Sequence, residues 1–277
     1  MARVTELGNG LNEHIQYYDN LKIHKKFYRK EGRYQGDYLE YDENGNITKK
    51  LSYIDGKLNG EVLIYHNNGI LSAAYNYRDD QLNGKTVLYD EAGKIKQEAD
   101  YLNDNFHGEV KIYLDGILAN LITYQHGIQN GTMLAYNKKG TLISKNNFSN
   151  EKLDGESFIY YESGNILQYR QYREDELNGS AVDYYESGSI MIRSNYKNGS
   201  LEGDYIVCFD KTDGQIKEKS FYKNGKPDDL KIEYYETGVI KSKLLYKNGK
   251  EFEKIDYDEK GEIKVEKKSL MKKMFGA

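Results

Sequence analysis

A glycine returns about every 24 residues through most of this 277-residue chain, and that spacing limits the fold more than any other feature. One unit reads G-x-x-x-x-Y-x-x-x-G-x-I-x-x-x-x-x-Y-x-x-x-x-L-N and then starts again. The opening glycines are Gly36, Gly60, Gly84, Gly108, Gly131, Gly155, Gly179 and Gly203, with Asp229 in the ninth place. The gaps are 24, 24, 24, 23, 24, 24, 24 and 26 residues. A second series, from Gly45 and Gly69 to Gly238 and Gly261, keeps step with the first. A period held this long means one small structural unit stacked on copies of itself.

Each unit predicts a β-hairpin. Segments such as EVLIY (61–65) and ILSAAYNY (70–77) are short, rich in Tyr and β-branched residues, and punctuated by glycine. A glycine in every half-unit disfavours helix. Turn lengths fix the register. Glu43-Asn44-Gly45 fits a three-residue loop with glycine in the left-handed position, which sets Asp42 opposite Asn46 and Tyr41 opposite Ile47. The short unit has the two-residue loop Asp115-Gly116, with Leu114 facing Ile117 and Tyr113 facing Leu118. The long unit has Asp210 to Gly214 as its loop, with Cys208 facing Ile216. Three loop lengths preserve one pairing, as expected if a one-residue slip would turn every side chain over.

Simple alternation then divides the side chains between two faces. One face is expected to carry the rung tyrosines, such as Tyr41, Tyr65, Tyr89 and Tyr113, together with a second ring row of Tyr53, Tyr77, Tyr101, Tyr124 and Phe148. Leu58, Leu82, Phe106, Leu153, Leu177 and Leu201 are placed in inter-hairpin loops that fold back onto it. The other face is expected to carry Ile64, Leu88, Ile112 and Ile159 from first strands and Ala74, Leu121, Ile143, Leu167 and Tyr169 from second strands. Outside the central units the same places hold Glu40, Asp183, Glu233, Lys50, Lys219 and Lys243. Two readings of this central apolar zone stand: the sheet curls and covers it or packs it against the N-terminal segment, or it is a partner or dimer surface, since a large exposed apolar patch usually marks one.

Little in the chain points to catalysis. With 30% charged residues and 38% hydrophobic ones, it is too polar for one thick core, and no run of about 20 apolar residues offers a membrane span. The beginning has no apolar leader, so the cytoplasm is the expected compartment. A net charge of −4, from 40 basic and 44 acidic side chains, argues against a nucleic-acid surface. His14, His24, His66, His107 and His126 show no metal-ligand spacing and read as solvated turn residues. Cys208 replaces a rung tyrosine and reads as a small buried hydrophobe. Acidic turns such as Asp42-Glu43 and Asp90-Glu91 lack the ligand density of a calcium loop. No catalytic residue, metal site or cofactor site is expected.

The motifs YYESGNI (160–166), YYESGSI (184–190) and YYETGVI (234–240), each followed by Tyr and then N-G or a relative, resemble the bacterial variant of the MORN repeat. The resemblance runs from residue 36 to about 263 and implies an all-β, elongated array of about ten hairpins in one open, twisted or curled antiparallel sheet. A degenerate capping repeat is expected in residues 1–35, and a basic tail, forming a capping strand or short helix, in 264–277. Many proteins of this variant are described as antitoxin or immunity components, so the resemblance implies a non-enzymatic module that binds another protein, a toxin or effector. The alternative is a scaffold that pairs with itself. Lipid association is the weakest reading, since this chain has no Trp and departs from the pattern at Lys111, Cys208, Pro227 and Asp229. The candidate interface is Ile64, Leu88, Ile112, Leu121, Ile143, Ile159, Leu167 and Tyr169.

Overall fold

A computed structural model describes residues 1–264. The tail expected to form a cap therefore lies, beyond Lys264, outside the described residues. All 26 strands are antiparallel, and no helix occurs among the described residues. The chain separates into two compact units, Met1–Thr141 and the residues from Leu142 onward. Within each unit a strand pairs with its neighbours in chain order.

The hairpin turns follow the expected chemistry. Tyr41 pairs with Ile47, the Asp42 N–H donates to the Asn46 carbonyl at 2.9 Å, and the Gly45 N–H returns to the Asp42 carbonyl at 3.0 Å. Gly45 takes φ +94°, the left-handed setting that this loop demands. The Asp42 carboxylate caps the turn by accepting the N–H groups of Asn44 and Asn46 at 2.9 and 2.8 Å. Asp90 and Asp258 do the same, so these acids serve their own backbone. The short and long hairpins keep their pairings, Tyr113 with Leu118 and Cys208 with Ile216.

Between hairpins the chain reverses through two-residue turns in which both residues have positive φ, such as Asn198-Gly199 and Asp79-Asp80. The second residue donates its N–H to a carbonyl one repeat back: Gly199 to Leu177 at 2.9 Å, Asp80 to Leu58 at 3.0 Å. Where aspartate replaces glycine it strains the backbone but adds a bond. Asp80, Asp104 and Asp175 each accept, at 2.7 Å, the N–H of Leu58, Leu82 and Leu153. Leu58 and Leu82 are not in loops, as alternation suggested, but in short strands opposite Tyr53 and Tyr77.

One feature of the register overturns the expected division of faces. In the hairpin Gly60–Tyr65 with Leu71–Arg78, Tyr65 pairs with Leu71 but Ile64 pairs with Ala73, leaving Ser72 as a β-bulge. The same one-residue shift recurs between Tyr89 and Leu88, between Tyr113 and Ile112, and in every other described first hairpin turn. Each shift turns the rest of the second strand over. Tyr77 and Ala73 therefore share a face with Ile64, and the two tyrosine rows lie on opposite faces.

Candidate functional site

In the unit Met1–Thr141 the two faces differ in how tightly they are filled. Phe27, Tyr38, Val62, Ala73, Thr86, Ala99 and Val110 are buried and by their pairing lie on the face of the second tyrosine row, while Ile15, also buried, lies on the other. Ile64, Leu88 and Ile112 belong to this crowded face, where Ala73 pairs with both Ile64 and Leu88. The rings stack there as well: Phe106 lies 4.7 Å from Tyr101 and 5.2 Å from Tyr124, centroid to centroid. Burial pushes the phenols of Tyr53, Tyr77 and Tyr101 above the usual tyrosine range.

The opposite, more open face carries the rungs Tyr65–Leu71, Tyr89–Ile95 and Tyr113–Leu118. Beside them runs a second row with a rule of its own. An apolar first-strand residue meets a cation on the partner strand: Leu39 meets Lys50, Val182 meets Arg193, Ile206 meets Lys219, and Ile232 meets Lys243. The aliphatic stems of those cations can cover the apolar surface while their charges reach water. The rule breaks where Leu63 meets Ala74, Val87 meets Glu98 and Phe158 meets Tyr169, and it is inverted at Lys111, a first-strand cation that meets Leu121. Ala74 thus joins Leu63 and Val87 into one apolar stretch between Lys50 and Glu98, and Leu121 stands between Lys111 and Leu134. Leu63, Ala74, Val87, Leu121 and Leu134 are half-buried.

The eight expected interface residues are therefore not one surface. Ile64, Leu88 and Ile112 are on the crowded face, and Ile159 has the same parity in the second unit, where it pairs with Gln168 and is 39% exposed. Leu121 is on the open face, and so is Tyr169, which packs its ring 5.1 Å from Phe158 and bonds Glu156. Leu167 is the bulge residue between Ile166 and Gln168, and Ile143 holds the equivalent place after Leu142. Alternation failed because the bulge leaves the turn and rung pairing intact and changes only the strand beyond them.

The residues with chemical potential are engaged in holding the repeats together. Tyr161, Tyr185 and Tyr235, each following a rung tyrosine, donate their hydroxyls to the carbonyls of Tyr184, Cys208 and Tyr257 in the next hairpin, at 2.8, 3.0 and 2.9 Å. His66 uses the same position, with Nε2 3.3 Å from the Tyr89 carbonyl. His14 stacks on Phe27 and His24 on Tyr18, so these histidines are not the solvated turn residues that their spacing suggested. His107 and His126 come together as a ring pair with centroids 4.9 Å apart. The signal for that pair was in the repeat: side chains about 20 residues apart meet at this corner elsewhere, as Asn83 meets Asn103. Among the described residues no three His, Cys, Asp or Glu side chains gather as a metal site. No described helix is long and apolar enough to cross a membrane.

The family model of the MORN repeat variant matches five segments, residues 34–55, 82–103, 153–174, 177–198 and 230–248, and each match spans one hairpin with its turn. No curated protein matches the chain. Among solved structures, a Photorhabdus luminescens Tc holotoxin pore is 14% identical over 94% of this chain and 15% of that one, with a TM-score of 0.22. The TcdB2-TccC3 crystal structure is 12% identical over 91% and 17%, with a TM-score of 0.20. A porin-like protein from Bacteroides uniformis is 9% identical over 91% of both chains, with a TM-score of 0.13. The chain spans less than a fifth of the length of the two toxin chains. Likenesses this loose bear on no function.

Proposed function

We propose that the chain is a non-enzymatic protein-binding module whose contact surface is the open face of the unit Met1–Thr141, centred on Leu63, Ala74, Val87, Leu121 and Leu134. The observation that carries this reading is the missing cation at Ala74, which makes Leu63, Ala74 and Val87 a continuous apolar stretch. Repeat arrays offer extended binding surfaces, and the matches to the MORN repeat variant support a module of this kind. The open face replaces the mixed surface expected from alternation, and of those eight residues it retains Leu121. Following the family resemblance, the partner proposed is a toxin or effector protein that the chain neutralises in the cytoplasm.

The test compares two faces of one unit. The protein that co-purifies with this chain from its native cell is measured against Val87→Asp with Leu121→Asp, which is expected to stay folded by circular dichroism and to lose the partner. Lys49→Gln, on the crowded face beside Ile64, is expected to keep it. A folded double variant that binds as tightly as the unchanged chain removes the open face from consideration.

A further inference from the structure

The rung row on the open face is interrupted once. Every other rung in the array begins with tyrosine, and the hairpin Gly203–Cys208 with Ile216–Lys223 begins with Cys208. That hairpin also has the longest turn, in which the Phe209 N–H donates to the Gln215 carbonyl across a five-residue loop. The exchange of a phenol for a thiol and the longer loop leave an open cleft of about 360 Å³ in this unit. Its apolar wall is Ile190, Ile206, Cys208 and Ile216. Ile206 and Cys208 are buried, whereas the rung tyrosines of the other unit, such as Tyr65, Tyr89 and Tyr113, are half-buried.

Two cations stand at the cleft, Arg193 and Lys211. Lys211 donates to the Gln215 side chain at 2.6 Å and to the Glu236 carbonyl at 3.4 Å, with the Glu236 carboxylate at 3.9 Å. Arg193 has an exposed side chain with no hydrogen bond or ion pair among the described residues. The Asp210 carboxylate in the hairpin turn accepts the hydroxyls of Ser187 and Ser189. An aliphatic cavity of about 150 Å³ is enough to take benzene, so the cleft has room for one ring and a short polar arm. A guanidinium free of protein partners is a two-pronged receptor for a carboxylate.

We propose that this cleft is a binding site for a small aromatic carboxylate, whose ring replaces the missing rung tyrosine and whose carboxylate pairs with Arg193. The site is independent of the protein-binding surface proposed above, and variants here leave that surface untouched. Burial pushes the Cys208 thiol above its usual pKa and the Arg193 charge offsets part of this, so the thiol acts as neutral wall and not as nucleophile.

The probe is 4-hydroxyphenylacetate, added at millimolar concentration to the full chain and followed by the methyl NMR signals of Ile190, Ile206 and Ile216. Saturable shifts confined to these methyls are expected, together with slower alkylation of Cys208, the single cysteine, by iodoacetamide. The neutral analogue 4-hydroxyphenylethanol should bind about tenfold more weakly, the equivalent of one charge-assisted contact. Arg193→Gln should abolish that preference while preserving weak binding of both compounds. Cys208→Tyr, which restores the repeat, should fold and bind neither. The proposal is overturned if no saturable shift appears, if Cys208→Tyr binds the acid unchanged, or if Arg193→Gln still prefers the acid over the alcohol.

Discussion

The crowded face of the hairpins between Gly60 and Tyr124 and that of the hairpins after Lys152 share one backbone register but are filled by different chemistry. In the first, Val62, Ala73, Ala99 and Val110 are buried and share the face with Ile64, Leu88 and Ile112. In the second, the buried small residues are largely hydroxyls: Ser157, Ser194, Ser220 and Ser242. Around them stand matched charges. Arg170 pairs with Asp183, and Lys231 pairs with Glu218 at 3.0 Å and Glu233 at 3.2 Å. Ser220 and Ser242 donate to those same glutamates at 3.2 and 3.1 Å. The repeat therefore constrains backbone and rungs and leaves the filling free, and it tolerates a buried hydroxyl, Thr86, without a partner among the described residues.

The comparison can be broken most severely on the apolar side. Ala99 is 1% exposed with no cation beside it in the register, so Ala99→Asp should cost more than about 4 kcal/mol through an unpaired buried carboxylate. Urea unfolding should show this as loss of the native transition, while Ser220→Ala in the other unit shifts the midpoint only slightly.

A smaller effect is expected from stranding a charge. Asp183→Ala leaves Arg170 unpaired in surroundings where both side chains are 20% exposed. The loss should be about 2 kcal/mol, and the double variant Asp183→Ala with Arg170→Met should recover most of it.

Acid sharpens the contrast without mutation. Burial would raise the pKa of Glu233, but hydrogen bonds from Lys231 and Ser242 outweigh it and hold the carboxyl below the ordinary value of 4.5. A carboxyl depressed in the folded state contributes stability that is fully present above that value and is lost as pH falls through the folded pKa. Hydrogen exchange in Ile240–Lys247 should therefore speed up below about pH 4.5 relative to exchange in Leu71–Arg78, whose crowded-face neighbours are uncharged. Equal acid sensitivity in the two strands would mean that the ion cluster contributes nothing.

The smallest effects belong to the turns that both regions share. Asp80 holds φ +69° and accepts the Leu58 N–H. Asp80→Ala keeps the strain and loses the bond, costing about 1 kcal/mol, while Asp80→Gly relieves the strain and should be near neutral. Gly164, at φ +90° with open space where a Cβ would stand, should also cost about 1 kcal/mol on change to alanine, and Ser163→Ala should be silent. Thermal melts would separate these outcomes.

The sequence made the hairpins legible because glycine spacing and turn length are local signals: the pairing of Tyr41 with Ile47, the two-residue turn at Asp115-Gly116 and the long turn at Asp210 to Gly214 could all be read from it. The face of each side chain could not. A bulge at Ser72 has no composition signature, since Ser72, Lys96, Ala119 and Leu167 hold equivalent places with unrelated chemistry. Its consequence is that Ile112 and Leu121, assigned to one surface by alternation, lie on opposite faces. The rule of cation over apolar residue was also present in the sequence, but it becomes visible only after the register is known.

The bulge is tested most directly by the adjacent residues Ala73 and Ala74. In this structure Ala73 pairs with Ile64 and Leu88, while Ala74 pairs with Leu63 and Val87 on the other face. Methyl NOE spectra of an alanine-, isoleucine-, leucine- and valine-labelled sample should connect Ala73 to Ile64 and Leu88, and Ala74 to Leu63 and Val87. Cross-peaks from Ala73 to Leu63 and from Ala74 to Val62 would instead mean that the strands alternate without the bulge, and the assignment of the two faces would be wrong.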